Sequence, residues 1–193
     1  MNYIVKGMSQ TELEDLLINH DFPKYRGKQI YNWLYKNPTT EIEDMQNIPI
    51  KLKKFLNEYC IINTLKLSHK KSNKNTTKFL FKTDSNDYIE SVSMIEDNRH
   101  TICISSQVGC AVDCDFCATG KMGFKKNLTT GEIIDQLLLI QNYVNTPITN
   151  IVFMGMGEPF LNYNNVIAAA NLMNDNEGLN FSYHRITIST SGI

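Results

Sequence analysis

Cys110, Cys114 and Cys117 set three thiols in the spacing Cys-x3-Cys-x2-Cys, all within eight residues. Thiolates are the natural ligands of iron–sulfur clusters. A cubane has four irons, so three cysteines leave one iron without a protein ligand. That open iron can chelate a small molecule through an amine and a carboxylate. The same sulfurs could instead be structural thiols, or three corners of a zinc site whose fourth ligand lies elsewhere. Zinc sites usually show paired Cys-x2-Cys ligands; there is no second pair, and the nearest histidine, His100, is on the far side of a predicted strand.

Two further motifs carry polar groups in suggestive places. Gly155-Met156-Gly157-Glu158-Pro159 combines glycines, which let backbone approach a ligand closely, with Glu158, which can accept hydrogen bonds from an ammonium group. Ser189-Thr190-Ser191-Gly192 offers hydroxyls to a carboxylate or a ribose. Taken singly, each reads as an ordinary strand-end turn.

The elements that position these motifs change that weighing. From residue 101 strand and helix patterns alternate: a strand at 101–105, a helix opened by the capping pair Thr129 and Glu132, a strand at 150–154, a helix near 164–173 and a strand at 185–189. This β-α-β-α-β order predicts a parallel sheet. All three motifs follow the carboxyl ends of consecutive strands, where such sheets bind their ligands, so they converge on one predicted pocket. The expected fold class is α/β: the first three strands of a (β/α) barrel, preceded by a small helical domain and a β-hairpin. Three parallel strands are too few to close a barrel, and the pattern stops just after the third, which predicts a piece of a longer protein.

The front divides into 1–67, short helices, and 68–99, a linker and hairpin, ahead of an incomplete core at 100–193. Ser9 and Glu12 fit a capping box for a helix with Leu13, Leu16 and Leu17 on one face. A second helix carries Tyr25, Ile30, Trp33 and Leu34, and a third, after Pro49, turns Leu52, Phe55, Leu56 and Tyr59 inward. The polar run 68–77 reads as a linker or hairpin tip, followed by strands at 78–82 and 88–94.

Composition sets the class. Of 193 residues 42% are hydrophobic, as in a globular chain, and no run is long and apolar enough to span a bilayer. The first ten residues lack the apolar stretch of a secretory signal. The expected location is therefore the cytoplasm, where five cysteines stay reduced and clustered ones bind metal or do chemistry. Net charge is −1, but residues 1–83 carry 14 Lys and Arg against 8 Asp and Glu, while 84–193 carry 5 against 12. A basic front fits either a polyanionic partner such as RNA or a solvated lysine-rich face. Tyr25, Tyr31 and Trp33 among Lys24, Arg26 and Lys28 could be an RNA platform, or could fill the core of the helical domain.

Residues 101–193 resemble the radical SAM rRNA methyltransferases of the RlmN/Cfr family. The resemblance runs through Ser105-Ser106-Gln107-Val108-Gly109-Cys110, Phe116-Cys117-Ala118-Thr119-Gly120, Asn127-Leu128-Thr129, Phe153 to Pro159 and Ser189 to Gly192. Residues 1–100 match more loosely, in the helical front and in Glu90-Ser-Val. The resemblance implies a 4Fe–4S cluster on Cys110, Cys114 and Cys117, and S-adenosyl-L-methionine held by Gly157, Glu158 and Ser189. It implies reductive cleavage of that cofactor to a carbon radical. The radical takes hydrogen from a methyl group carried on a cysteine near the C-terminus, and the methylene radical so formed adds to adenine. Glu90 matches the proton acceptor and Cys103 the thiol that resolves the protein–RNA adduct. Without the resemblance, Glu90 reads equally as a surface carboxylate, Cys103 as a buried core thiol and Cys60 as packing.

Pro159 is similar to the RlmN branch, which methylates carbon 2 of adenine; Cfr proteins, which modify carbon 8, typically carry alanine there. The implied partners are 23S rRNA in its peptidyl-transferase region, tRNA beside the anticodon, and an electron donor such as flavodoxin or ferredoxin. No membrane is implied, and the full-length form is expected to be a monomer. The methyl-carrying cysteine of the family falls outside this chain, so the chain alone is expected to be incomplete for methyl transfer. The competing expectations are a Cfr-like carbon-8 enzyme and a non-catalytic zinc- and RNA-binding module.

Overall fold

The computed structural model describes residues 2–112 and 114–193; Met1, which opens the helical front, and Asp113, a spacer of the cysteine motif, lie outside the described residues. The front begins with β1 (Tyr3–Ile4), which pairs in parallel with β2 (Cys60–Ile61). Between them lie α1 (Gln10–Ile18), α2 (Tyr25–Tyr31) and α3 (Ile50–Tyr59). The Ser9 box forms as the sequence dictates: Ser9 N donates to Glu12 Oε2 at 2.7 Å and Glu12 N to Ser9 Oγ at 3.3 Å. Such a cap stabilises a helix by about 1 kcal/mol. α2 runs on into one π-type turn over Asn32–Lys36.

Leu13, Leu17, Ile30, Leu34, Leu52 and Leu56 form the front's core. α1 crosses α2 at Gly27, where a Cβ would stand 2.5 Å from Glu14 Cγ. That crossing turns Ile30, Tyr31 and Leu34 inward and leaves Tyr25 56% exposed, with the Arg26 guanidinium over its ring. Tyr25 therefore does not fill the core. Trp33 is half-buried and donates its indole N–H to Asn47. Tyr59, placed inward by its spacing, is 42% exposed because α3 ends there and the chain turns into β2.

The main sheet has six strands in the order β10-β9-β6-β5-β4-β3. They are β3 (Leu65–Asn73), β4 (Thr76–Thr83), β5 (Tyr88–Glu96), β6 (Arg99–Cys103), β9 (Asn150–Phe153) and β10 (Ile186–Ile188). β6, β9 and β10 are parallel, as the alternating pattern requires; β3 to β6 form an antiparallel meander. The polar run 68–77 is thus strand and turn: its residues pair across β3 and β4, with Lys74 in the left-handed region at φ 48°. The run lacks apolar periodicity because it forms the sheet's edge. A short ribbon of β7 (Gln107–Val108) and β8 (Lys126–Asn127) brackets the cysteine loop.

α4 (Thr130–Gln141) and α5 (Tyr163–Asn174) cover one face of the sheet, sharing a core with Phe79, Phe81, Ile89, Ile102, Ile151 and Phe153. Ser91 Oγ donates to Gln136 at 2.8 Å and ties α4 to β5. The other face, with Lys78, Glu90, Val92, Cys103 and Val152, has no helix over it among the described residues, and these residues are partly or fully exposed.

Buried polar contacts lock the front to the core. Lys6 and Asp135 form an ion pair at 3.5 Å with both side chains 3% exposed, and Asp135 Oδ2 also accepts from the N–H and hydroxyl of Thr64 at 2.6 Å each. Beside it two backbones cross, so that a Cβ on Gly7 would stand 2.5 Å from Gly131 N. Tyr31 donates to Asp175 at 2.6 Å, and at the surface beside it Lys28 forms an exposed ion pair with Glu177 at 3.0 Å.

Candidate functional site

The chain leaves β6 through Ile104 and Ser105, and Ser105 ties together the strand ends around it. Its hydroxyl donates to the Glu90 carbonyl at 2.6 Å and accepts from Met156 N at 2.9 Å. Its backbone N–H and carbonyl both bond the side chain of Gln136, at 2.7 and 2.9 Å. Asn162, 3% exposed, holds the carbonyls of Ser106 and Leu128 at 2.8 and 2.7 Å. Buried backbone groups at the strand ends are thus satisfied by buried amides.

The cysteine loop hangs from the β7–β8 ribbon. Gly109 has φ +71° and its missing side chain admits the Gly123 carbonyl, so no other residue fits. Cys110 N then donates to Gly123 O at 3.3 Å, and Cys117 N to Cys114 O at 2.9 Å. Cys110 is buried, while Cys114 and Cys117 are half-buried. The backbone N–H groups of Gly120 and Thr119 face the Cys117 sulfur and lower its pKa from the ordinary thiol value, despite the opposing effect of burial. Thiolate is the form that ligates metal.

Across the cavity, Gly157 sits at φ +98° with its α-carbon against Gln107, which in turn accepts from Glu158 N at 2.9 Å. Glu158 is 5% exposed. Burial raises its pKa, but hydrogen bonds from Thr190, Ser191 and Phe160 outweigh this and hold it below the usual carboxylate range. Oε1 accepts from Thr190 Oγ1 at 2.6 Å and Phe160 N at 3.0 Å; Oε2 accepts from Ser191 N at 2.8 Å and Ser191 Oγ at 3.0 Å. The second and third motifs therefore meet directly on one buried anion.

One cavity of about 290 Å³ is lined by Cys110, Cys114 and Cys117 from the first motif, Gly155, Gly157 and Glu158 from the second, and Ser189, Thr190 and Ser191 from the third. Larger hollows of about 670 and 520 Å³ lie elsewhere and contain no cysteine, so chemistry and not size selects the site. Two of the predicted residues stand apart from this lining. Glu90 projects from β5 on the open face and pairs with Lys78 at 3.0 Å. Cys103 lies on β6 opposite Val92, and burial raises its thiol pKa, partly countered by the Met154 N–H. Cys60 is buried in the front's core, as packing requires.

Two family models match the chain: the radical SAM superfamily over residues 104–193, and the N-terminal domain of ribosomal RNA large subunit methyltransferases over residues 5–62. Residues 104–193 thus match a radical SAM core, and residues 5–62 match the N-terminal domain of ribosomal RNA methyltransferases. A dual-specificity RNA methyltransferase RlmN of Geobacter sulfurreducens is 44% identical over 98% of this chain and 52% of its own length. A probable enzyme of the same name from Thermotoga maritima is 43% identical over 96% and 55%. The crystal structure of a radical SAM methyltransferase from Sphaerobacter thermophilus superposes with a TM-score of 0.94 at 37% identity, covering 99% of this chain and 57% of that one. The chain spans about half the length of the curated relatives it matches.

The match to the radical SAM superfamily implies a 4Fe–4S cluster and S-adenosylmethionine. The donor set fits both: three sulfurs on one loop, one of them with its thiol pKa lowered, facing a buried carboxylate and hydroxyls suited to an amino acid end. His100 is not free to complete a single-ion site. Both ring nitrogens of His100 are engaged, by Ser93 at 2.8 Å and the Thr146 carbonyl at 2.9 Å. Among the described residues no three His, Cys, Asp or Glu side chains group around one metal position. Nor is any described helix long and apolar enough to cross a membrane.

The sequence reading missed the buried amides. Gln107, Gln136 and Asn162 aim the strand ends, and only their occurrence beside motif residues signalled it. It also did not foresee that Thr190 and Ser191 bond Glu158, beside Ser189 in the same cavity lining.

Proposed function

We propose that this chain is the cofactor-holding part of a radical SAM methyltransferase that methylates carbon 2 of adenine in 23S rRNA and in tRNA. The observation that carries the reading is the single cavity in which the cysteine loop, the Gly157–Glu158 turn and the Ser189–Ser191 segment meet. Cys110, Cys114 and Cys117 would ligate the cluster, which when bound supplies one electron for reductive cleavage of the sulfonium cofactor. Glu158 is the anionic partner for that cofactor's ammonium group. Its four present donors are neutral, so a cation can replace one of them with gain in charge complementarity. Gly157 lets the backbone approach the ligand where any side chain would collide with Gln107. Ser189 supports the carboxylate or ribose end.

On the open face Glu90 is the proposed proton acceptor. Its ion pair with Lys78 is exposed and easily exchanged, so the carboxylate is available to a substrate. Cys103 is the proposed resolving thiol, two residues before Ser105, the residue that links β6 to the pocket wall. Pro159, which opens the short helical turn after Glu158, supports carbon 2 over carbon 8. The RlmN names of the relatives support RNA as substrate.

Anaerobic reconstitution with iron and sulfide is the first test. The expected result is about four irons per chain and a broad absorption from thiolate-bound iron, both lost in Cys110→Ala, Cys114→Ala and Cys117→Ala. One tightly bound zinc without colour would overturn the reading. For specificity, RNA from source cells with the gene intact or deleted is digested to nucleosides. Loss of 2-methyladenosine from 23S rRNA and tRNA is expected; loss of 8-methyladenosine instead would reassign the carbon.

A further inference from the structure

The face of the sheet opposite α4 and α5 carries a charge arrangement that the cysteine pocket does not use. On the edge hairpin Lys66 stands opposite Lys82, and Lys71 opposite Lys78. Directly opposed residues of an antiparallel pair share a face, with Cβ atoms about 5 Å apart, and like charges there repel. Alternation along β4 buries Phe79 and Phe81 under α4 and turns Lys78 and Lys82 to the open side. Among the described residues only Lys78 of the four has an acidic partner, Glu90. The two facing lysine pairs concentrate positive charge on this side of the hairpin, and a polyanion laid along them would neutralise it.

The register sets this patch beside the pocket. Leu80 pairs with Glu90, whose carbonyl receives the Ser105 hydroxyl that also holds Met156 at the cavity wall. Lys82 pairs with the exposed Tyr88 one row closer to the carboxyl ends of the parallel strands. Lys78 and Lys82 are four residues apart, a rise of about 13 Å.

We infer that the open face of the β3–β4 hairpin is a phosphate track, on which Lys66, Lys71, Lys78 and Lys82 neutralise the backbone of the RNA whose target base enters the cysteine pocket. This rests on the RNA-methyltransferase reading and adds a binding surface to it.

The test compares the reconstituted chain with a variant combining Lys66→Gln, Lys71→Gln, Lys78→Gln and Lys82→Gln. Binding of a labelled RNA hairpin of peptidyl-transferase sequence is followed by fluorescence anisotropy from about 50 to 200 mM salt. The slope of log K against log salt will become shallower by about 3, and low-salt affinity will fall about 100-fold. The four corresponding Lys→Arg changes will keep the slope, and thermal stability of the glutamine variant will hold or rise. If the parent binds RNA with a steep salt dependence and the glutamine variant matches it, the track is overturned and the RNA reading stands. The track is equally overturned if RNA binding persists while binding to an acidic electron-donor protein is lost. A parent chain with no salt-dependent RNA binding overturns both.

Discussion

Removing the Asp135 carboxylate will uncouple the helical front from the core. Asp135 and Lys6 are each 3% exposed, and Asp135 also receives two 2.6 Å hydrogen bonds from Thr64. Asp135→Ala leaves an ammonium group in a dry site and two donors without acceptors. Breaking a buried pair from one side costs about 3–5 kcal/mol. The orphaned Thr64 donors belong to the same network, so their cost is not added in full. The expected loss is ~4 kcal/mol, a large share of the ~5–15 kcal/mol of a whole domain. At about 2–4 °C per kcal/mol for this chain length, the melting temperature drops by ~8–16 °C. Urea unfolding followed by circular dichroism measures it. The control is Lys6→Met combined with Asp135→Leu, which removes both charges and is expected to recover most of the loss. A cost below about 1 kcal/mol for Asp135→Ala, or a double variant as weak as the single one, would refute the argument that an unpaired buried charge dominates.

Gly157→Ala combines a positive φ with a collision at Gln107, so it is expected to cost about 2–4 kcal/mol and to abolish S-adenosylmethionine binding by equilibrium dialysis. Unaltered binding would show that this backbone is not in the cofactor's path. Burial pushes the Cys60 thiol up to about 12 from its ordinary value of 9.0. The folded state holds that proton longer than the unfolded one, so the contribution is full below about pH 9 and drains at about 1.4 kcal/mol per pH unit toward 12. Cys60→Ala is expected to be less stable than the parent near pH 8 and to lose less between about pH 9 and 10.5; parallel losses in the two proteins would contradict this.

The parallel strands and the two capping boxes were legible because each rests on local chemistry: apolar periodicity in one case, a Ser or Thr three residues before a Glu in the other. The three cavity motifs were legible for the same reason, each marking the end of a strand. What stayed hidden depends on long-range geometry. The run 68–77 carries little apolar pattern because an edge strand with one open face needs little, so its pairing with β4 was invisible. Tyr25 and Tyr59 have core-like spacing, but a crossing at Gly27 and a helix end decide their exposure. Gln107, Gln136 and Asn162 carry no signature of their own, since a buried amide is recognised only by the carbonyls and N–H groups that it meets.

The crossing of Gly7 over Gly131 has a mechanical consequence. With no room for even a methyl group between the two backbones, the joint has no hinge. The helical front is thereby set against α4 by two main chains rather than by side chains that could change rotamer, so their spacing is fixed by covalent geometry.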